Sequence, residues 1–320
     1  PTFRDAGSNR IDPCSRSLSH PSPSELTYQT STKPIAWGGF YELSKPRLSL
    51  LSVITALIGY LAALPNHNWS LVFHFVVGTA LCAAGAAALN QWWERGPDSV
   101  MERTLNRPLP SGQVTPYSAL VFGLALSVVG SVQLYFGANP LAGILGTATI
   151  LSYVLIYTPM KKVTRWATEI GAIPGAIPPL IGWAAAEGTI TTLGWILFAM
   201  LTVWQIPHFM AIAWLYRDDY QRGGFPMLSV VDKNGNRVAR WSLINTCILL
   251  PISLLPIILG YCQWIYGVFA IIFGLWFLKH TIAFVNPEDR NASAKKLFLN
   301  SIIYLPAVLF SLVIDRWILG

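Results

Sequence analysis

Residues 90–112 read NQWWERGPDSVMERTLNRPLPSG, and they close a segment, residues 70–92, that is otherwise almost wholly apolar. A run of that length can cross a hydrocarbon core about 30 Å thick as a helix, so the charges after it mark where the chain leaves the membrane. Within the stretch, Asn90, Glu94 and Asp98 stand four residues apart, with Arg103 and Arg107 just downstream. An i, i+4, i+8 series lies roughly along one helix face, which lets three oxygen-bearing side chains converge, although Pro97 must loosen the last turn. Mg²⁺ typically takes only one or two protein carboxylates and fills its shell with water and phosphate oxygens, and guanidinium groups suit phosphate. The spacing therefore reads either as a divalent-cation site that awaits a bridging phosphate or as a solvated loop of mixed charge.

Moving outward, the rest of the chain repeats the apolar theme. Hydrophobic residues make up 53% of the 320 residues and charged residues only 12%, about half the charge of an ordinary soluble domain. The predicted fold is all-α, a polytopic membrane bundle of nine transmembrane helices at about 47–65, 70–92, 115–136, 139–158, 168–186, 192–213, 241–260, 263–283 and 298–317. With that division, every Lys and Arg of the 22 except Arg316 falls on one side, and the loops of the other side carry none. By the positive-inside rule the N-terminus faces the cytoplasm, or the matrix of an organelle, and the C-terminus faces out. The net charge of +7 is thus a topology signal, and no nucleic-acid partner is expected. Residues 1–40, polar and rich in Ser, Pro and Thr, read as a disordered tail ahead of a single transmembrane domain, 41–320. The acids Asp5, Asp12 and Glu25 argue against a transit peptide, which would be poor in acids, and so favour a bacterial inner membrane over a mitochondrial one. Cys14, Cys82, Cys247 and Cys262 form no C-x-x-C pair, so neither a disulfide framework nor a zinc site is indicated.

Two further polar clusters fall on the same side as the first. The stretch from Trp204 to Leu228 brings His208, Tyr216, Arg217, Asp218, Asp219 and Arg222 to the end of the sixth span, and the recurrence of acids at two helix ends suits two metal ions flanking one diphosphate. Lys161 and Lys162 end the fourth span and, with Lys45, Arg47, Arg103 and Arg107, form a basic rim. Cations there would stabilise charge that grows as a C–O bond to diphosphate breaks. Small residues from Gly78 to Ala88, and Gly171 and Gly175 with Pro174, Pro178 and Pro179, predict close helix packing and a kink, beside a possible cavity. His208, amid Pro207 and Phe209, reads as a packing residue or as a haem ligand facing the bundle interior.

At these residues the sequence resembles the intramembrane UbiA-type prenyltransferases. The likeness covers about 40–317 and rests on Lys45-Pro46-Arg47, on Asn90-x3-Glu94-x3-Asp98 with MxRTxxRPLPSG after it, and on Tyr157-Thr-Pro-x-Lys161. It continues through GAxxGAxPPLxGW at 171–183, Pro207-His208-Phe209, Asp219-Tyr220 and Gly224-x-Pro226-Met227-Leu228. Of these, MxRTxxRPLPSG, GAxPPLxGW and the stretch from Pro207-His208-Phe209 to Asp219-Tyr220 resemble the haem-modifying branch, whereas the Asn90, Glu94 and Asp98 motif resembles one shared across the family. The resemblance implies a multi-pass enzyme that moves a farnesyl group from farnesyl diphosphate to a vinyl group of protohaem IX, giving haem O for haem–copper oxidases. It also implies Mg²⁺ held by Asn90, Glu94, Asp98 and Asp219, diphosphate held by Lys45, Arg103, Arg107, Lys161 and Lys162, and haem held by His208. The chain departs from the pattern twice: Ala167 stands where that branch commonly has Asn, and Gly223 where related enzymes place a second Asp of D-x-x-x-D.

Two other readings compete. One keeps the chemistry and changes the acceptor to another aromatic or tetrapyrrole ring. The other is a transporter of an anionic metabolite, which would be expected to show repeated topology with broken helices at the midplane, whereas the strong polar clusters here share one face. The lipid bilayer is the expected surrounding, and the oligomeric state is left open.

Overall fold

A computed structural model describes residues 37–64 and 68–319, and among these every element is helical. A short α1 (Trp37–Leu43) turns at Ser44 and Lys45 into α2 (Pro46–Ala62), and α3 (Trp69–Asp98) runs 30 residues down to the acidic stretch. Next come α4 (Pro116–Gly137) and α5 (Pro140–Leu151), which passes through a π-helical turn (Ser152–Tyr157) into a last turn, α6 (Thr158–Met160). Two ten-residue helices follow, α7 (Ala167–Ala176) and α8 (Pro178–Glu187), then the long α9 (Thr192–Leu215). The short α10 (Arg217–Arg222) and α11 (Leu228–Val231) lead to α12 (Asn236–Ile258), α13 (Trp264–Val285) and α14 (Arg290–Leu319).

The starts of the helices follow from local chemistry. Asn68, Thr115 and Asn139 each accept a hydrogen bond from a backbone N–H of the first turn, satisfying a donor that has no partner within the helix. Proline follows at the first helical position of α2, α4 and α5, where its fixed φ is already helical. Large apolar side chains such as Val128, Phe136, Ile272 and Leu275 point outward, as a lipid solvent allows.

Among the described residues seven helices are long and apolar enough to cross a membrane, eight if α1 and α2, bent by 44° at their junction, count as one span. The predicted nine uninterrupted spans are therefore corrected. The expected helix at 168–186 is broken after Ala176, where Pro178 and Pro179 deprive the following turn of amide donors, and neither half is long enough alone. The first span also fails as drawn, since α2 has 17 residues and needs α1 to reach membrane length. The chain is a helical integral membrane protein all the same. The predicted tail lies largely outside the described residues, as does Cys14, and helix already begins at Trp37.

Close helix approach organises the interior. A Cβ on Gly182 would meet the Ala56 carbonyl oxygen at 1.8 Å, so α8 lies directly on the backbone of α2. On the other flank, a Cβ on Gly130 would meet the Cys82 amide nitrogen at 2.7 Å, fixing α4 against α3. Without a hydrophobic drive between helices in lipid, such small-residue contact is what association rests on. The largest buried cluster joins α9, α12, α13 and α14 through residues such as Met200, Leu249, Tyr266, Phe277 and Tyr304.

Candidate active site

The acidic face at the end of α3 is buried: Asn90 is 2% exposed, Glu94 4% and Asp98 0%. All three lie within the helix, because Pro97 falls in its last turn and the chain then leaves through i→i+3 bonds at Ser99 and Val100. Each of the three side chains is matched to a cation. Lys161 Nζ donates to Glu94 Oε1 at 2.9 Å, and Arg107 Nη1 donates to both Asp98 oxygens at 2.8 and 2.7 Å. Lys45 Nζ donates to Asn90 Oδ1 at 3.3 Å. The spacing of the acids thus delivers one face, and residues from three other parts of the chain supply its counter-charges.

Lys45 reaches Asn90 from an unusual backbone. Its φ of 45° and ψ of 61° lie in the left-handed region, which costs an L-residue about 1–2 kcal/mol and is kept where surroundings over-determine it. Those surroundings are visible: Gln91 Nε2 donates to the Leu43 carbonyl at 2.8 Å, and Ser49 Oγ to the Ser44 carbonyl at 2.7 Å. On the opposite side, Asn90 Nδ2 donates to Thr158 Oγ1 at 3.1 Å, and Thr158 in turn donates to the Tyr153 carbonyl at 2.8 Å. The π-helical turn contains that carbonyl, and π turns gather at functional sites. The Tyr157 ring lies 4.9 Å from Lys161 Nζ, a cation–π distance. Below Lys45 a cavity of about 140 Å³ runs into the bundle between α2, α3, α5 and the α7–α8 pair.

The second acidic cluster meets the first through backbone. Asp219, 7% exposed, accepts from the Glu102 amide at 3.1 Å and from Arg222 Nη2 at 2.5 Å. The Arg222 guanidinium beside it holds the Asp219 carboxyl below the usual carboxylate range, against the effect of burial. Arg103 lies over Tyr216 and Tyr220, at 5.0 and 5.5 Å from their ring centres. Lys162 is exposed and forms no ion pair among the described residues. His208 sits elsewhere: its Nδ1 is 2.7 Å from Ser301 Oγ on α14, and its ring stacks on Trp204 at 4.8 Å.

The two departures noted in the sequence have local explanations. Ala167 is buried in an apolar cluster with Met101, Ala213, Phe225 and Met227. Glu169, two residues along, engages Trp241 instead, accepting from its Nε1 at 2.6 Å. At Gly223 a Cβ would come within 2.9 Å of Met101 Sδ and of the Phe225 ring, so apolar packing fills the place of a further carboxylate. Thr158 and Gln91 were not singled out from sequence, because each matters only through a partner distant in the chain.

Among the described residues no three Asp, Glu, His or Cys side chains cluster as a ready-made metal cage, since each carboxylate faces its own cation. The donor types still suit Mg²⁺. Two buried carboxylates and an amide oxygen on one helix match an ion that takes few protein ligands and completes its shell with phosphate oxygens and water.

Known proteins resemble this chain along most of its length. Residues 52–302 match the profile of the UbiA prenyltransferase family. A protein of Opitutus terrae named protoheme IX farnesyltransferase is 52% identical over 289 residues, 89% of this chain and 98% of that protein. A protein of the same name from Solibacter usitatus is 44% identical over 287 residues, 87% of this chain and 98% of its own. Among solved structures, one of digeranylgeranylglyceryl phosphate synthase superposes with a TM-score of 0.74 at 19% identity, covering 87% of this chain and 98% of that one. A UbiA homolog from Archaeoglobus fulgidus bound to GPP and Mg²⁺ gives 0.61 at 11% identity, over 86% and 99%; these two likenesses concern the fold.

Proposed function

The chain belongs to the UbiA prenyltransferase family, and from that premise we propose that it transfers the farnesyl group of farnesyl diphosphate to a vinyl group of protohaem IX, giving haem O and pyrophosphate. The observation that carries this is its likeness, over nearly their whole length, to relatives named for that reaction. The buried acidic face and its cations supply the chemistry such a transfer needs.

Asn90, Glu94, Asp98 and Asp219 would hold Mg²⁺, a use of metal supported by the Mg²⁺ and prenyl diphosphate bound to the Archaeoglobus homolog. Bound there, the ion would neutralise negative charge on the diphosphate. Lys45, Lys161 and Arg107, with Arg103 and Lys162 at the rim, offer five cations to the same anion. Their charge is worth most as the C–O bond breaks and pyrophosphate takes the electron pair. The allylic cation left behind lies at the mouth of the apolar cavity, away from water. The vinyl π pair of protohaem then attacks its terminal carbon, and water adds to the resulting cation beside the macrocycle, releasing one proton. His208 would orient the porphyrin from the α9–α14 side. We assign the acidic face to the cytoplasmic side of a bacterial inner membrane, in line with the charge asymmetry and the bacterial relatives, and residues 41–320 to one catalytic domain.

Purified protein given farnesyl diphosphate, protohaem and Mg²⁺ is expected to form haem O, read by chromatography, and to stop in excess EDTA. Farnesylation of an aromatic acid but never of haem would overturn the acceptor.

A further inference from the structure

The cavity under Lys45 has a depth that can be read along α3. Phe75, Thr79, Ala83 and Ala87 follow one another at four-residue spacing on the stripe that ends in Asn90 and Glu94. Ala87, Ala83 and Thr79 line the cavity, and Thr149 and Ile181 close on it from α5 and α8. From Asn90 to Thr79 is eleven residues of helix, about 16 Å at 1.5 Å per residue. An extended farnesyl chain, with carbon–carbon bonds of about 1.5 Å, is about 14 Å long.

Two observations mark the lower end. Thr79 is 2% exposed, and its hydroxyl has no hydrogen-bond partner among the described residues although it borders the cavity. One turn deeper, Phe75 is 0% exposed and stacks on Tyr60 with ring centres 4.8 Å apart at 28°. That pair belongs to a buried cluster with Ala56, Ala184 and Ala185, and neither ring is among the residues that line the cavity.

We infer that Thr79, backed by the Phe75–Tyr60 pair, is the floor that sets the length of prenyl chain this site accepts at three isoprene units. This rests on the prenyl-transfer reading and adds to it the residues that select the donor. The relation between helix and ligand makes the floor a ruler: one turn of α3, about 6 Å for four residues, is close to the length of one isoprene unit. A two-unit chain leaves the lower cavity unfilled, and a four-unit chain must displace Phe75.

The test measures binding of geranyl, farnesyl and geranylgeranyl diphosphates to the purified protein with Mg²⁺ and no haem, so that the acceptor plays no part. Wild type is expected to bind farnesyl diphosphate tightest. Thr79→Phe, which raises the floor, should shift the ratio of geranyl to farnesyl affinity about tenfold toward geranyl. Phe75→Ala, which lowers it, should shift the ratio of geranylgeranyl to farnesyl affinity about tenfold toward geranylgeranyl. Thermal unfolding identifies a variant that fails to fold, and because the two substitutions act in opposite directions at different depths, either alone decides the question. Unchanged order in a folded variant overturns the ruler while leaving prenyl transfer standing. If wild type binds none of the three, prenyl transfer itself falls and the ruler with it.

Discussion

Asp98 and Arg107 are unequal partners. The carboxylate is 1% exposed and the guanidinium 23%, so their loss has different consequences. Truncating Arg107 leaves a carboxylate buried without its cation, a defect of about 3–5 kcal/mol, whereas removing the charge of Asp98 leaves a guanidinium that can turn toward water. Asp98→Asn is therefore expected to unfold near the wild-type temperature and yet to lose a hundredfold or more in rate, the order found when a group that stabilises transition-state charge is removed. Arg107→Ala should unfold markedly earlier. Thermal unfolding paired with initial rates separates these cases, and an Asp98→Asn enzyme with more than about a tenth of wild-type activity would remove Asp98 from the metal site. The exposed Arg222–Glu102 pair, at 44% and 76% exposure, belongs to the class worth about 0–1 kcal/mol.

The reach of sequence reasoning shows best at the level of elements. Asn90, Glu94 and Asp98 were legible because an i, i+4 series depends only on helical geometry. The pairing of Lys45 with Asn90 and of Asp219 with the Glu102 amide was not, since no local rule announces a left-handed Lys or a loop amide from a different part of the chain. The π-helical turn had no signal in composition, while Pro174, Pro178 and Pro179 signalled a kink without saying that the segment would part into α7 and α8. Gly78, Gly171 and Gly175 do lie in close contact with neighbouring side chains, and Gly182, which was not read as a packing residue, makes a still closer approach to backbone. With the Ala56 carbonyl 1.8 Å from any Cβ, Gly182→Val must push α8 off α2, and overpacking of this kind costs about 1–3 kcal/mol. Because α2 carries Ser49 and Ser52 and α8 carries Ile181 on the cavity wall, the expected result is earlier thermal unfolding together with weaker farnesyl diphosphate binding. An unchanged unfolding temperature would show that the α2–α8 contact has slack that the distances deny.

At the scale of the whole molecule the ion pairs constrain how the chain traverses the membrane. Lys161, just after α6, touches Glu94 at the end of α3, and Asp219, just after α9, touches the Glu102 amide just after α3. The ends of these three helices therefore share a face. Since α9, 24 residues long and apolar enough to cross, begins at the opposite face, the segment between Lys161 and Thr192 must carry the chain across, and α7 and α8 must do so together although neither is long enough alone. Arg316, the lone basic residue of the other side, fits that account: its guanidinium donates to the Ala62 and Tyr261 carbonyls at the far ends of α2 and α12. The arrangement makes a prediction about two exposed loop positions, Thr189 between α8 and α9 and Asn234 before α12. With the native cysteines removed, Thr189→Cys and Asn234→Cys should react with an impermeant thiol reagent from opposite sides of sealed vesicles, Asn234 from the side that reaches the diphosphate cations. Labelling from the same side would mean that α7 and α8 enter and leave by one face. In that case α9 could not deliver Asp219 to the loop after α3, and the two acidic clusters could not serve one diphosphate.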